Sequence, residues 1–425
     1  MKKSNLFSRQ KLSKVCFIFS FFAFKSFSYD VVNRFRIIDD KLKTEQMLRP
    51  IDHDFIIDIN LTLNKNVQNV VKDISDAGKT TGSTTDKLVA AQNILSKYEK
   101  TEQTIKANLN IGIPIFSFSA WDLQVQPNLR ASADVGANIG IRSDLLTIND
   151  ILNLFPNETP QELKDYIATL GTGTDIIASC TGASTLPAQV KAYCATQPTG
   201  KYIIPDLSLG VPNLSLFAKL DVKAGLFNDY VYGEHFFGNL NLYGLSRTDI
   251  YQRVTKDMIA SGSKIEFPKE KNTETSLQAD YRLGYKNANY KIFLSVEELK
   301  INKMKERVVG SKALSYDYAP LLRMHADAKF SYSALSINPF LGIHKRSGYK
   351  TADGIYAGAD LGAHVWGDRL GLQFRGMLDK QFITLSPRIK LWLMQLEYSM
   401  KKPVKSMDED VLLSALHTID FRIFF

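Results

Sequence analysis

Apolar and polar residues alternate along most of this chain. Leu214, Leu216, Ala218, Leu220, Val222, Ala224 and Leu226 are interleaved with Ser215, Lys219, Asp221 and Lys223. That period of two builds a β-strand with one apolar and one polar face. The pattern returns at Leu277, Ala279, Tyr281, Leu283 and Tyr285 against Gln278, Asp280, Arg282 and Lys286. After Asn287-Ala288-Asn289 it resumes with Tyr290, Ile292, Leu294 and Val296. Leu322, Met324, Ala326, Ala328, Phe330 and Tyr332 alternate with Arg323, His325, Asp327, Lys329 and Ser331. Further strands run from Ile355 to Val365, turned by Gly367-Asp368 into Leu370 to Leu378, and earlier from Phe55 to Leu63 and through Ile105 to Ile141. The pattern predicts about 14 strands, within bounds of roughly 12 to 16, each roughly 10 to 14 residues long. Strands of soluble domains average about five or six residues, whereas a tilted strand crossing a bilayer needs about nine to eleven.

Alternation alone does not say which face meets water. A soluble barrel hides its apolar face, and a membrane barrel turns it outward to lipid around a polar interior. Strand length favours the second arrangement, and so do the two ends of the chain. The C-terminal strand carries Leu413, Ala415, His417, Ile419, Phe421, Ile423 and Phe425 on one parity, with Ser414, Thr418, Asp420 and Arg422 on the other. Ending on an aromatic, it resembles the closing strand of Gram-negative outer-membrane β-barrel proteins. That resemblance implies that Ile419, Phe421, Ile423 and Phe425 form the signal read by the barrel-assembly machinery.

The N-terminus has a basic start, an apolar run from Val15 to Phe24, and Ser26 and Ser28 at the spacing a signal peptidase reads. Residues 1–28 therefore have the layout of a cleaved secretory signal peptide. The apolar run is too short for a spanning helix, which needs about 20 residues. Cys16 lacks the small preceding residue of a lipoprotein signal, so the segment is expected to be removed and not lipidated.

Composition fits once this segment is set aside. The 425 residues carry 53 Lys+Arg against 44 Asp+Glu, a net +9, with a mean hydropathy of −0.14. Six of those surplus charges (Lys2, Lys3, Arg9, Lys11, Lys14, Lys25) lie in the first 28 residues, leaving +3 for the rest. Lys and Arg are interleaved with Asp and Glu there, which argues against nucleic acid as a partner. Hydropathy near zero suits a barrel that places apolar residues at every second position.

Two cysteines remain after processing, Cys180 and Cys194, and in an oxidising compartment they predict one disulfide. A metal site is the rival, disfavoured by the lack of a clustered histidine. The cysteines lie in the second of two inserts that break the strand rhythm, at 65–103 and 144–200. The first reads as helix after Ser83-Thr84-Thr85-Asp86. In the second, Thr159-Pro160-Gln161-Glu162 reads as a capping box with proline at the first helical position. Both inserts are too polar for lipid, so they belong outside the membrane or in the lumen. Residues 29–50 form an N-terminal extension or plug, and 51–425 the barrel.

Catalytic and cofactor chemistry finds little support. Gly78-Lys79-Thr80 lacks the upstream glycine of a phosphate loop, since position 73 is Asp. The six histidines are scattered without metal spacing, and His325 and His364, which share polar parity with Asp327 and Asp360, read as lumenal fillers. No catalytic site, cofactor or metal is expected, and the motifs of outer-membrane hydrolases are not found. The candidate functional surface is the inward set Lys219, Asp221, Lys223, Asp280, Arg282, Arg323, Asp327, Lys329, Arg375, Asp420 and Arg422, which would either pair to fill the lumen or line a polar path. The cluster Lys300, Lys303, Lys305, Arg307 and Lys312 reads as a solvated loop able to touch lipopolysaccharide phosphates.

Barrel size, the N-terminal extension and the inserts make residues 50–425 similar in architecture to the long-chain fatty acid transporter barrels, or to related barrels found with conjugation systems. The plug motif of that family finds no match in residues 29–50. The resemblance implies an outer-membrane channel or transporter for a small solute or hydrophobic compound. The alternatives are a non-conducting structural or assembly barrel and, third, a hydrolase. Outer-membrane lipid and lipopolysaccharide are the expected surroundings; the sequence does not specify oligomeric state. Counting back from a periplasmic C-terminus puts the tight turns at 287–289 and 367–368 on the outer side, against the usual arrangement. The stretch 379–400, where Pro387 interrupts the pattern, leaves the strand count unsettled.

Overall fold

The computed structural model describes residues 30–48, 56–79, 84–144, 159–197, 199, 202–204, 211–254, 271–308, 319–365, 370–408 and 410–424. The signal segment 1–28, Gly367-Asp368, Lys312 and Phe425 lie outside the described residues.

Fourteen strands pair in sequence and close on themselves as an antiparallel barrel. They are β1 (Ile56–Asn64), β2 (Glu102–Pro114), β3 (Leu123–Asp144), β4 (Val211–Tyr232), β5 (Phe236–Val254), β6 (Lys271–Lys286) and β7 (Tyr290–Val308). There follow β8 (Leu321–Ala328, extended by Phe330–Tyr332), β9 (Leu335–Lys345), β10 (Ile355–Val365), β11 (Leu370–Asp379), β12 (Phe382–Leu391), β13 (Met394–Pro403) and β14 (Leu416–Phe424). The barrel closes where β1 pairs with β14, from Ile56 opposite Phe424 to Asn64 opposite Leu416. Closure leaves no unpaired edge for lipid to contact.

The period of two decides the faces. Ile59, Leu61, Ile111, Ile113, Leu220 and Val222 are exposed on the outside, while Asp58, Asn60, Lys106, Lys219 and Asp221 are buried inside. An outward apolar band around a polar interior makes this a transmembrane barrel. Among the described residues no helix is long and apolar enough to cross a membrane. Exposed Trp121, Phe236, Tyr290, Tyr332 and Trp392 ring one end, as interfacial aromatic girdles do.

That ringed end is also the end of short turns. Connections 233–235, 287–289, 333–334 and 392–393 lie there with the start of β1 and the end of β14, as do the strand ends Val365 and Leu370. The turn at 287–289 and these two strand ends therefore share the C-terminal end, correcting the outer-side expectation; residues 367–368 lie outside the described residues. The miscount lay in 379–400, which holds two strands, β12 and β13, and the start of neither is marked by a glycine turn. Pro387 does not break β12. It faces outward opposite Phe374, and the ladder to β13 skips from Leu385–Met400 to Arg388–Glu397. The hydroxyls of Ser386 and Ser399 bond across that gap inside the lumen.

Long connections gather at the opposite end, hereafter the loop end. Between β1 and β2, helices α2 (Val67–Gly78) and α3 (Thr84–Tyr98) pack Val70, Ile94 and Leu95 on Ile141 of β3 and Leu214 of β4. Between β3 and β4 lie α4 (Gln161–Ile167), α5 (Ile176–Gly182) and α6 (Ala188–Ala195), with a core of Leu163, Ile167, Ile176, Ile177, Val190 and Tyr202. The Cys180–Cys194 disulfide bridges α5 and α6 inside that core. The expected capping box at Thr159 is not formed. Helix α4 begins after Pro160 without a side-chain cap, and the Thr159 hydroxyl bonds the Tyr193 hydroxyl at 3.2 Å, tying α4 to α6.

Candidate functional site

Ahead of the first strand, Val31–Met47 forms a helix, α1, inside the barrel. Its sequence, VVNRFRIIDDKLKTEQM, sets Val31, Phe35, Ile38 and Leu42 on one narrow apolar stripe and charges around the rest. Ile38 and Leu42 pack on Phe382 and Leu416, while the charged faces need polar partners. A lumen lined with charge on all sides suits it: every residue from Val31 to Glu45 is buried except Asn33 and Lys43, which are half-buried. At 1.5 Å per residue it is about 25 Å long. It crosses the lumen obliquely, in the half nearer the loop end, from the β2–β4 wall to the β8–β13 wall.

Ion pairs fix it along its length. Asp39, fully buried, receives Lys106 of β2 at 2.6 Å, Lys219 of β4 at 2.7 Å and Lys43 one turn on at 3.1 Å. Asp40 takes the guanidinium of Arg346 with both oxygens, at 2.9 and 3.0 Å, and the hydroxyl of Tyr349 at 3.1 Å. Lys41 donates to Asp379 at 2.6 Å and Gln381 at 2.9 Å, and Lys401 of β13 pairs with Glu45. The wall extends this into a network: Asp221 holds Lys219 and Arg247, and Glu298 holds Lys43 (2.8 Å), Arg346 (3.1 Å) and Lys223 (3.4 Å).

Glu298 reaches this position through a bulge. Opposite Asp280 the β6–β7 register slips, Glu298 takes φ +59, and its N–H donates to the Asp280 carboxylate at 2.8 Å. One extra residue turns both Glu297 and Glu298 inward, so that Leu299 faces out; two further register shifts follow, at Ile301 and Met304.

Each end of the helix has its own anchor. Near the N-terminus Phe35 packs on Phe217, ring centroids 5.4 Å apart, and lies flat over Gly136, where a Cβ would come within 2.4 Å of the ring. Arg34 pairs with Glu102 and Asp408, both at 3.2 Å. Asp408 stands in the loop between β13 and β14. Burial alone would raise its carboxyl, but hydrogen bonds from Lys405 and Gln381, and the charges of Lys380 and Arg34, hold it well below the usual carboxylate range. At the other end Arg375 donates to the carbonyls of Glu45 (3.4 Å) and Leu48 (2.9 Å). A cation there suits the last-turn carbonyls of a helix.

The turn half of the lumen is different. Beneath Met47 a cavity of about 370 Å³ is lined by Phe237, Arg282, Phe293, His325 and Phe340, among others. A second, of about 290 Å³, borders Arg130, Asp229, Asn241, Arg323 and Arg422.

The structure brings Lys219, Asp221, Lys223 and Arg375 of the predicted set to the helix or its network, with Asp280 at the bulge. Arg282 and Arg323 border the cavities, and Asp327 bonds His325 at 3.2 Å. Asp420 and Arg422 line the closing pair of strands, where Arg422 meets Asp58 at 3.0 Å. Lys329 is exposed in the break between the two parts of β8, toward the turn end. Ile419, Phe421 and Ile423 face outward on β14. In the basic cluster, Lys300 pairs with Glu274 at 2.6 Å, and Lys303 pairs with Glu306. Sequence reasoning missed Asp39, Asp40, Lys43, Lys106, Arg247, Glu298 and Arg346. Lys106 was readable, since it shares parity with Asn108 and Asn110, and the doublet Glu297-Glu298 marks the slip of alternation.

No family model matches the chain, and neither does any curated protein. Among solved structures, the transport unit of the autotransporter AIDA-I from Escherichia coli is 8% identical, covers 94% of this chain and 99% of its own, and has a TM-score of 0.36. CdiB from Acinetobacter baumannii is 6% identical over 87% of this chain and 59% of its own, with a TM-score of 0.33. The toluene transporter TodX of P. putida is 10% identical over 88% and 91%, with a TM-score of 0.34. All are outer-membrane barrels, and at these values the likeness carries no argument about function.

Proposed function

We propose that this chain is an outer-membrane channel or transporter for a small solute, closed at rest by its own N-terminal helix. The observation that carries the reading is how that helix is held. Beyond the narrow stripe of Val31, Phe35, Ile38 and Leu42, this helix is docked by Asp39, Asp40, Lys41 and Glu45 on wall and loop cations and carboxylates. Such contacts can be exchanged for water, because a polar lumen hydrates a displaced helix and the wall it leaves. With short turns toward the periplasm, the open cavities face that side and the helix guards the outer mouth. Ile419, Phe421 and Ile423 face outward on β14, which suits a strand presented to the assembly machinery, in a membrane of phospholipid and lipopolysaccharide.

Planar-bilayer recording tests this. Full-length protein should show rare, brief openings, and a variant lacking residues 31–47 should conduct steadily. A helix-less barrel that still shifts on a heat-modifiability gel yet conducts no more than the full chain would overturn transport. That outcome would favour the second reading, a non-conducting assembly or structural barrel, to which the filled lumen and the disulfide-closed helical insert at the loop end also lend support.

A further inference from the structure

We infer that the turn-end cavity binds a flat organic anion, such as an aromatic carboxylate. This rests on the transport reading and names the class of solute for it.

Arg282, Ser295 and Arg323 stand in one row across β6, β7 and β8. Strand spacing of about 4.8 Å puts the two arginine backbones about 10 Å apart, with only a serine between them. Arg282 makes no ion pair among the described residues, and its Nε has no hydrogen-bond partner. Its guanidinium lies 4.7 Å from the centre of the Phe293 ring. Arg323 is 3% exposed; its Nη1 donates to Glu297, while Nε and Nη2 have no partner. Both guanidinium groups line the second cavity, and the half-buried Arg282 lines the ring-floored one as well, so its unused Nε–H stands where the two meet and suits an acceptor oxygen.

One row nearer the turn end, Phe293 pairs with His325, ring centroids 5.1 Å apart, and His325 lies 5.8 Å from Phe340. Glycines let these rings lie flat. A Cβ on Gly284 would sit 2.4 Å from the Phe237 ring, and one on Gly342 the same distance from the Tyr356 hydroxyl. The result is an aromatic floor beneath an arginine row.

Charge selects the ligand. The carboxylates at the rim are engaged: Asp327 with His325 and Lys291 at 3.2 Å, Asp360 with Arg375 at 2.7 Å, and Glu297 with Arg323. Arg282 is left without a direct ion pair among the described residues. A cationic solute would meet it directly, and a neutral one would leave its Nε–H unsatisfied. A small inorganic anion would make no contact with the rings. An anion on a flat ring uses both, its oxygens on the Arg282 guanidinium where the two cavities meet and its face against Phe237 and Phe340.

Isothermal titration of the full chain in non-ionic detergent with naphthalene-2-carboxylate tests this, against 2-naphthylmethanol and acetate and with a detergent blank. The carboxylate should bind saturably, with both comparison compounds at least tenfold weaker. Arg282→Gln should weaken binding about tenfold or more, with partial recovery in Arg282→Lys. Absence of saturable binding, equal affinity for 2-naphthylmethanol, or undiminished binding by a folded Arg282→Gln would overturn the site. If that variant does not fold, the three-compound comparison on the unmodified chain decides. Binding is read without any current, so conductance without binding would defeat this site alone, and binding to a barrel that stays closed without its helix would defeat transport alone.

Discussion

In the loop half of the lumen the inward charges meet opposite charges from a helix, while in the turn half Arg130, Arg282 and Arg323 keep unpartnered N–H groups beside open volume. The same strands line both halves with the same parity. What separates them is the chain segment laid across one half and the bulge at Glu298, which turns two consecutive carboxylates inward at the boundary. A polar interior is therefore not by itself a pore or a plug. Its role depends on whether a second polar element brings the complementary charges.

Removing the helix carboxylates should damage this contrast most. Asp39→Asn with Asp40→Asn takes a partner from Lys106, Lys219 and Arg346 and leaves them to Asp134, Asp221 and Glu298; deleting one partner of a buried pair costs up to about 3–5 kcal/mol. The urea midpoint of the folded barrel should fall, and steady conductance should appear in planar bilayers. Gly136→Val comes next: it pushes Phe35 off its seat without touching a charge, an overpacking effect of about 1–3 kcal/mol, read as a smaller fall in the same midpoint.

Acid should act more gently. Asp408 has its folded value depressed below the ordinary carboxylate value of about 3.9. Its contribution is therefore fully present above that value and is lost only as pH falls through the lower, folded one. Denaturation midpoints should hold from pH 7 to 5 and drop below about pH 4, and Asp408→Asn should flatten that drop. The smallest effect belongs to the turn half. Arg282→Gln breaks no ion pair among the described residues, only the contact with the Phe293 ring, and should change stability by no more than about 1 kcal/mol by urea titration.

The alternation that revealed the barrel works because lipid demands apolar residues on every second position of each strand. It made the inward set readable, including Lys219, Asp221 and Arg375. It failed where that demand is absent or locally reversed. Helix α1 never meets lipid, so its sequence carries no period of two, and its apolar stripe of Val31, Phe35, Ile38 and Leu42 stops at Glu45. Arg247 lies toward the loop end of β5, where Gly244 and Ser246 hold the outward positions and the pattern fades. Glu298 sits at a bulge, Arg346 in a loop, and Pro387 costs β12 part of one ladder without ending it. The partners of the inward charges were unreadable for a simpler reason: they come from a segment up to 374 residues away in sequence, as Arg34 is from Asp408.

Thiol labelling in intact outer membranes tests the central claim most directly. Phe35→Cys places a thiol in the filled half, where the native side chain is fully buried, and Arg282→Cys places one in the open half. The native pair Cys180–Cys194 is joined as a disulfide and should not compete for a maleimide. A small maleimide should modify position 282 readily and position 35 hardly at all, until Asp39→Asn and Asp40→Asn are added and position 35 becomes reactive. Equal labelling of the two positions in the otherwise unmodified protein would contradict a helix docked across the lumen.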